Sequence, residues 1–267
     1  MGTTFGFIGC GNMGGALARA ACKGVAPGQV LLSGRTPGKV RALAEELGCR
    51  ASTNEEIASG CDYIFLGVKP QMMPDMLAGI APLLQKRTAP FVLVSMAAGL
   101  TMERILALAG GQWPILRIMP NTPCAIGEGM LQYCSRGVSE EQVAEFLTVM
   151  QHAGRWDALP ESLIDAASSV SGCGPAFTYL FIEALADGGV ACGLPRAKAL
   201  EYAAQMVAGS ARMVLESGQH PGALKDAVCS PGGTTIQGVR ALEAGGFRSA
   251  AFEAVVAAFE KNAELGK

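Results

Sequence analysis

Histidine is scarce: the chain has 2 in 267 residues, His152 and His220, far apart in sequence. A histidine-based metal centre is therefore not expected, and no role is assigned to either ring. Charge is also sparse, at 16% of residues, below the usual quarter, which argues against a disordered, highly solvated chain. Neither sign dominates, with 21 basic against 23 acidic residues. The net charge therefore points to neither nucleic acid nor an anionic membrane. Long apolar runs are missing as well. The longest late uncharged stretch, 166–182, is interrupted by Ser, Gly and Pro and falls short of the ~20 residues needed to span a bilayer. The first 18 residues carry no charge, but they hold six glycines and no basic region, unlike a secretory signal. No two cysteines lie two to four residues apart, which removes zinc-ribbon and C-x-x-C redox patterns.

Apolar residues, by contrast, make up 50% of the chain, and there are 9 cysteines and 35 glycines. An odd number of scattered cysteines suggests reduced thiols, many of them buried, and a cytoplasmic location. The glycines follow no short period, so their use must be local. Residues 3–8 read as a short strand running into Gly9-Cys-Gly-Asn-Met-Gly14, with an Ala-rich helix following to about Lys23. The pattern predicts strands at Val30–Ser33 and Cys49–Ser52, and a helix at Pro37–Leu47 with Val40, Leu43, Ala44 and Leu47 on one stripe. Asn54 stands where a helix N-cap would, before Glu55-Glu56. Tyr63–Val68, Phe91–Ser95 and Ile115–Met119 are continuous apolar runs of the kind buried on both faces of a sheet. Met130–Cys134 suggests an edge strand, and Glu140–Met150 a helix. Strand alternating with helix predicts an α/β fold with a Rossmann-type, doubly wound parallel sheet.

From Leu163 onward no strand is evident. Phe177, Leu180, Phe181, Ala184 and Leu185 fall at helical spacing, as do Ala199, Tyr202, Ala203, Met206 and Ser210. Several of these helices are apolar around much of their circumference, which suggests that a partner covers them. The change of pattern at 157–163 divides the chain into a dinucleotide-binding domain, 1–158, and an all-α domain, 159–267.

Gly9-x-Gly11-x-x-Gly14 follows a strand and opens a helix, the setting in which this spacing binds a dinucleotide. Gly9 permits the turn, Gly11 admits the pyrophosphate, and Gly14 lets helix and strand pack. The helix N-terminus then faces the anion. An NAD-specific site would place Asp or Glu about 20 residues further on. Here the segment is Ser33-Gly-Arg35-Thr36. Arg35 can fork onto a 2′-phosphate, with Ser33 or Thr36 as donors, which predicts a preference for NADPH while leaving NADH possible. Val68-Lys69-Pro70, Met96-Ala97-Ala98-Gly99 and Pro120-Asn121-Thr122-Pro123 each follow a strand and so face the same crevice. The small residues would admit a nicotinamide ring, and Asn121 is an uncharged donor.

Two further runs stand out, Ser171-Gly-Cys-Gly-Pro-Ala-Phe177 and the Ser230–Thr235 segment, Ser-Pro-Gly-Gly-Thr-Thr. In the second, Ser230, Gly232, Gly233, Thr234 and Thr235 crowd ahead of a helix, an arrangement suited to a carboxylate.

Taken together, these segments resemble the pyrroline-5-carboxylate reductase family over almost the whole chain. The matching runs also include Arg117-Ile-Met-Pro-Asn-Thr-Pro123, Ala186-Asp-Gly-Gly-Val190 and Gly193-Leu-Pro195. The resemblance implies a Rossmann domain followed by a helical dimerisation domain, with the active site where they meet. It also implies reduction of the ring C=N of 1-pyrroline-5-carboxylate to L-proline by NAD(P)H. By position, Ile8, Gly9, Cys10, Gly11, Asn12, Met13, Gly14, Ser33, Arg35, Asn54, Val68, Lys69, Pro70, Ala97, Ala98 and Asn121 are the implied cofactor residues. Ser230, Gly232, Gly233, Thr234, Thr235 and Asn121 are the implied substrate residues, with Thr235 near the ring nitrogen as the catalytic candidate. No metal, nucleic acid or membrane partner is implied, only the small-molecule substrate and a homo-oligomer through the helical domain. Cys173 stands where the family usually has Ser, and Ala227 where some members have Asn. Three alternatives remain: a β-hydroxyacid dehydrogenase, a different imine reductase, and a nucleotide sensor without turnover. The first needs a lysine base, and 172–186 contains none.

Overall fold

The computed structural model describes residues 2–265. Its sheet is built from β1 (Phe5–Ile8), β2 (Val30–Ser33), β3 (Arg50–Ala51), β4 (Tyr63–Leu66), β5 (Val92–Ser95), β6 (Ile115–Met119), β7 (Gly129–Arg136) and β8 (Gly154–Ala158). The spatial order is β3-β2-β1-β4-β5-β6-β7-β8. Strands β1 to β6 are parallel, with helices α1 (Asn12–Gly24), α2 (Pro37–Leu47), α3 (Asn54–Gly60), α4 (Met73–Gln85) and α5 (Met102–Ala109) in the crossovers.

Strands β1, β2, β4 and β5 are four residues long and buried throughout. Their side chains alternate between two cores, as a period of two requires. Phe5, Phe7, Tyr63 and Phe65 face α1, α2 and helix α6 (Glu140–Met150). Ile8, Ile64 and Leu66 face α3, α4 and α5, meeting Leu77, Ile80 and Ile105. Stacked rings join the strands on the first face: Phe7 lies 4.1 Å from Phe65, and Phe5 lies 4.9 Å from Tyr63.

Three details depart from the sequence reading. β7 runs antiparallel to β6, and it is not an edge strand because β8 pairs beyond it from Gly129↔Gly154 to Tyr133↔Ala158. Gly-Arg-Trp-Asp-Ala alternates charged with uncharged residues, but Trp156 is its only large apolar side chain, so β8 is held by its ladder and by Trp156, whose indole N–H donates to Met150 O at 2.9 Å. Asn54 is the first residue of α3 rather than its cap. The cap is Thr53, whose hydroxyl accepts from the Glu56 N–H at 3.1 Å.

The chain forms two compact units: one runs through Cys173 and also takes the last residues from Ala258, and the other is Gly174–Ala257. In the first, α7 (Glu161–Ser171) packs on β6 and β7. The second holds α8 (Gly174–Ala191), α9 (Arg196–Ser217), α10 (Pro221–Ala227), α11 (Thr234–Ala244) and the start of α12 (Phe247–Leu265). Its buried core is small, with Ala186, Ala199 and Ala203 at the α8–α9 contact. Large apolar side chains stay exposed there, among them Leu180, Met206, Leu215 and Phe252. No helix among the described residues is long and apolar enough to cross a membrane.

Candidate active site

The turn after β1 is shaped by two close backbone approaches. Gly9 has φ 100°, and a Cβ there would lie 2.6 Å from the Gly67 carbonyl carbon. A Cβ on Gly14 would lie 2.3 Å from the Gly9 carbonyl oxygen. Both positions admit only glycine. Gly11 differs, since a Cβ there would meet nothing within 4 Å. Packing within the chain therefore does not demand glycine at 11, which leaves room for a ligand's approach. Gly11 caps α1 with no side-chain hydrogen bond, and the first turn carries no acidic residue. The amides of Asn12, Met13 and Gly14 thus present an uncapped, positive helix end.

The turn is fastened to the end of β2. The N–H groups of Gly9 and Cys10 donate to Ser33 O at 3.0 and 3.1 Å. The Cys10 thiol donates to Phe7 O at 3.6 Å, and burial pushes it up to about 12. At the far side of the turn, the Cys124 thiol donates to the Met13 sulfur at 3.6 Å.

A cleft of about 450 Å³ opens where β1, β2 and β4 end and α4 begins, bordered by Ile8, Gly9, Arg35, Asn54, Val68 and Asp75, among others. It brings together five of the cofactor residues expected from sequence. It also adds Gly34, Gln71, Met72, Asp75 and Met76, which the sequence reading missed. Pro70 and Pro74, flanking the turn into α4, were the available signal that the segment 71–76 borders the cleft. Arg35 is exposed at its rim.

Other expected residues are placed differently. The Ser33 hydroxyl points inward, 2.7 Å from Asn54 Oδ1 and 3.3 Å from Phe7 O, so its one proton already has acceptors. It positions Asn54 and is not turned toward the cleft. Lys69 is exposed ahead of the turn at Pro70 and does not line the cleft. Ala97 is buried in the core and Ala98 is half-exposed.

Asn121 is buried, and both ends of its amide are engaged. Nδ2 donates to Ser171 O at 3.0 Å, and Oδ1 accepts from the Met130 N–H at 3.1 Å. The side chain ties the end of β6 to β7 and to the last residue of α7. Ser171 completes the tie by donating its hydroxyl to Gln132 Oε1 at 3.0 Å. Arg117, in β6, is 1% exposed and ion-pairs with Asp165 at 2.6 Å and with Glu161 at 3.4 Å, both on α7. Glu161 also accepts the Met102 N–H at 2.7 Å. The sequence reading took Arg117 only as part of a matching run. The signal it overlooked was a charge inside a strand otherwise buried on both faces, which requires a partner.

The second unit carries the other expected cluster. Gly232 has φ 71°, and the Gly233 N–H donates to Ser230 O at 3.0 Å, closing a turn directly before α11. Gly233 caps α11 without a side-chain bond, and no acid occupies the first turn. Ser230, Thr234 and Thr235 are exposed. The segment therefore offers hydroxyls and uncapped amides at a positive helix end.

Residues 161–265 match the family model for pyrroline-5-carboxylate reductase dimerisation, and residues 4–99 match a model described as NADP oxidoreductase, coenzyme F420-dependent. The pyrroline-5-carboxylate reductase of Escherichia coli (strain K12) is 44% identical over 266 residues, covering 98% of both chains. That of Pisum sativum is 41% identical over 265 residues, covering 98% of this chain and 96% of its own. The chain belongs to the pyrroline-5-carboxylate reductase family. Among solved structures, the Plasmodium falciparum pyrroline carboxylate reductase with NADP bound superposes with TM-score 0.89 at 34% identity, covering 99% of this chain and 98% of that one. The reductase of Streptococcus pyogenes gives TM-score 0.86 at 33% identity, covering 98% of each. The family's Rossmann sheet and helical dimerisation module correspond to the strand-rich and helical parts described above.

Proposed function

We propose that this family member reduces the C=N bond of 1-pyrroline-5-carboxylate to L-proline, the last step of proline synthesis, with NADPH preferred over NADH. The observation that carries this reading is the occurrence, in one chain, of two uncapped, acid-free helix starts: α1 behind Gly9–Gly14 and α11 behind Ser230–Gly233. The first suits a pyrophosphate and the second a carboxylate.

NADPH fits the residues present on the strand-rich unit. Open space at Gly11, free amides at Asn12–Gly14 and Arg35 at the cleft rim would hold its phosphates. Ile8, Asn54, Val68 and Pro70 would border its adenosine half. When bound, it supplies the hydride. The absence of a carboxylate in Ser33–Thr36 leaves Arg35 as the charged contact for a 2′-phosphate. Lys69, exposed beside the cleft, adds positive field, and Ala97 and Ala98 keep the loop after β5 small.

On the helical unit, the amides of Gly232 and Gly233 and the hydroxyls of Ser230 and Thr234 would bind the substrate carboxylate. Thr235 would orient the ring nitrogen and at most relay a proton there. A protonated cyclic imine is already electrophilic, so orientation can provide much of the rate. This agrees with the lack of an acid–base pair in the motif. Asn121 acts in this scheme by fixing the loop after β6 rather than by donating to a ligand. Homodimers would form through the helical unit, whose exposed Leu180, Leu215 and Phe252 need cover. We expect a cytoplasmic location from the nine cysteines, all of them free thiols.

The test is NADPH oxidation on addition of 1-pyrroline-5-carboxylate, followed in the near ultraviolet. Turnover is expected with this substrate. Thr235→Ala should lower kcat and raise KM for the imine while leaving NADPH affinity unchanged. NADPH binding without turnover would favour the sensor reading, and unchanged kinetics in Thr235→Ala would remove that residue from the mechanism.

A further inference from the structure

The cleft beside the glycine turn has two sides of different chemistry. In the sheet, β1 lies between β2 and β4, so Ile8 and Gly9 border the cleft between those sides. On the β2 side stand Arg35 and Asn54. On the β4 side stand Gln71, Met72, Asp75 and Met76, from the turn Pro70–Met72 and the first turn of α4. Met73 and Leu77 are both 0% exposed and packed in the core. At 3.6 residues per turn, Asp75 lies on the opposite side of the helix from both, and it is exposed.

The Asp75 side chain is uncommitted. Its carboxylate makes no hydrogen bond or ion pair among the described residues, and it caps no amide of α4. Arg35 borders the same cleft, yet no ion pair joins the two. A carboxylate beside a site for an anionic ligand repels that ligand, unless it accepts a hydrogen bond from it. With a 2′-phosphate on Arg35, the ribose stays on the β2 side, and the base is the part that reaches α4. Adenine carries one donor, its amino group. Its ring faces need apolar flanks, and Met72 and Met76 supply adaptable thioethers beside Ile8 and Val68.

We propose that Asp75 selects the base of the cofactor: its carboxylate accepts a hydrogen bond from the adenine amino group, with Met72 and Met76 flanking the ring. This rests on the reading of the cleft as the NADPH site, and it adds a specificity-determining residue to it. The turn at Gly9–Gly14 and Arg35 recognise phosphates and do not distinguish one base from another. Asp75 makes that distinction, because an acceptor that has displaced its water gains nothing from a base without a donor. The carboxylate also lies on the α4 side, away from the β2 side where the 2′-phosphate is held, which limits its repulsion of the cofactor's charge.

The experiment titrates the full-length protein with NADPH and with its purine analogue, in which hydrogen replaces the amino group, and reads both affinities by calorimetry without substrate. Wild-type protein should bind the analogue about 10-fold more weakly, the loss of one hydrogen bond to an ionised acceptor. In Asp75→Ala the two affinities should become equal. The ratio is the quantity to compare, because deleting the charge relieves repulsion for both ligands alike. Asp75 is exposed and unpaired, so the variant keeps its fold, and the wild-type comparison needs no variant at all. Equal binding of the two dinucleotides by wild-type protein would overturn the proposal and leave the NADPH site standing. A 10-fold ratio that persists in Asp75→Ala would also overturn it, since another group would then read the base. Failure of wild-type protein to bind either dinucleotide would overturn the cleft's reading as the cofactor site, and this proposal with it.

Discussion

Arg117 permits a test in which deleting the buried cation is milder than deleting its carboxylate. Its guanidinium is 1% exposed, Nη2 lies 2.6 Å from Asp165, Nη1 lies 3.4 Å from Glu161, and Nε has no partner. Removing one member of a buried pair strands the other charge, which costs about 3–5 kcal/mol when both are fully buried. The Asp165 and Glu161 side chains are 33% and 24% exposed, respectively, and Glu161 stays after Asp165 is gone. Water and Glu161 therefore compensate part of the loss, and Asp165→Ala should cost about 2–3 kcal/mol. Arg117→Met deletes the buried charge itself and fills its place with an unbranched apolar chain, while both carboxylates can turn to water. That change should cost less than about 1.5 kcal/mol. The double variant should match Arg117→Met, giving a coupling of about 2–3 kcal/mol. The assay is urea unfolding at one fixed protein concentration, because oligomerisation shifts apparent stability. If Asp165→Ala is no worse than Arg117→Met, or if the two changes simply add, the stranded-charge argument is wrong.

Three further outcomes follow from the site. Arg35→Ala should reduce kcat/KM with NADPH about 10- to 100-fold, the equivalent of a charge-assisted contact of about 1.5–3 kcal/mol, with little change for NADH; equal loss with both cofactors would contradict the 2′-phosphate role. Gly11→Ala should fold normally and weaken NADPH binding in titration calorimetry, because a Cβ at 11 meets no protein atom, whereas Gly14→Ala, with its Cβ 2.3 Å from Gly9 O, should be destabilised even without cofactor. Alkaline stability should fall because burial raises Cys10 to about 12 and Cys61, Cys124 and Cys134 to about 11, from an ordinary 9.0. Above that value the unfolded thiols lose protons that the folded ones keep, so their contribution is full below pH 9.0 and declines through about 11 to 12. Urea midpoints measured across this range should drop, and Cys61→Ala should flatten the drop.

The parallel sheet was legible because its strands have an unusual composition. Tyr63–Leu66 and Val92–Ser95 are buried throughout, and a run of that kind with helical segments on either side has few other packings. The turn at Gly9–Gly14 was legible for a related reason: steric need leaves glycine little choice at 9 and 14. The edges were harder to read. β8 alternates charged and uncharged residues over only five positions with one large apolar side chain, Trp156, too weak a pattern to read without its ladder to β7. Asn54 and Thr53 are both good capping types; Thr53 has the extended backbone and accepts the Glu56 N–H, while the Asn54 side chain is taken by Ser33.

Polar side chains in the site divide along the same line. A hydroxyl or amide near a strand's carboxyl end can face the crevice or the interior, and local spacing does not distinguish the two. The partners that decide the matter lie far off in the chain: residue 54 for Ser33, and residues 130 and 171 for Asn121. Both side chains turn inward because a buried polar group must find a partner, and in each case one was within reach. Arg117 shows that such a partner can sometimes be anticipated. Between Leu116 and Ile118, both 0% exposed, a guanidinium demands a nearby carboxylate, and α7, with Glu161 and Asp165 one turn apart, is the segment with two acids at that spacing that packs on β6. The runs that carry the family resemblance include Arg117, Asn121 and Ser171, and hydrogen bonds and ion pairs join the first two to α7. The anchoring of α7 therefore accounts for these polar residues as well as contact with a ligand would. The Asp165→Ala experiment separates those two contributions, because Asp165 takes part only in the anchoring.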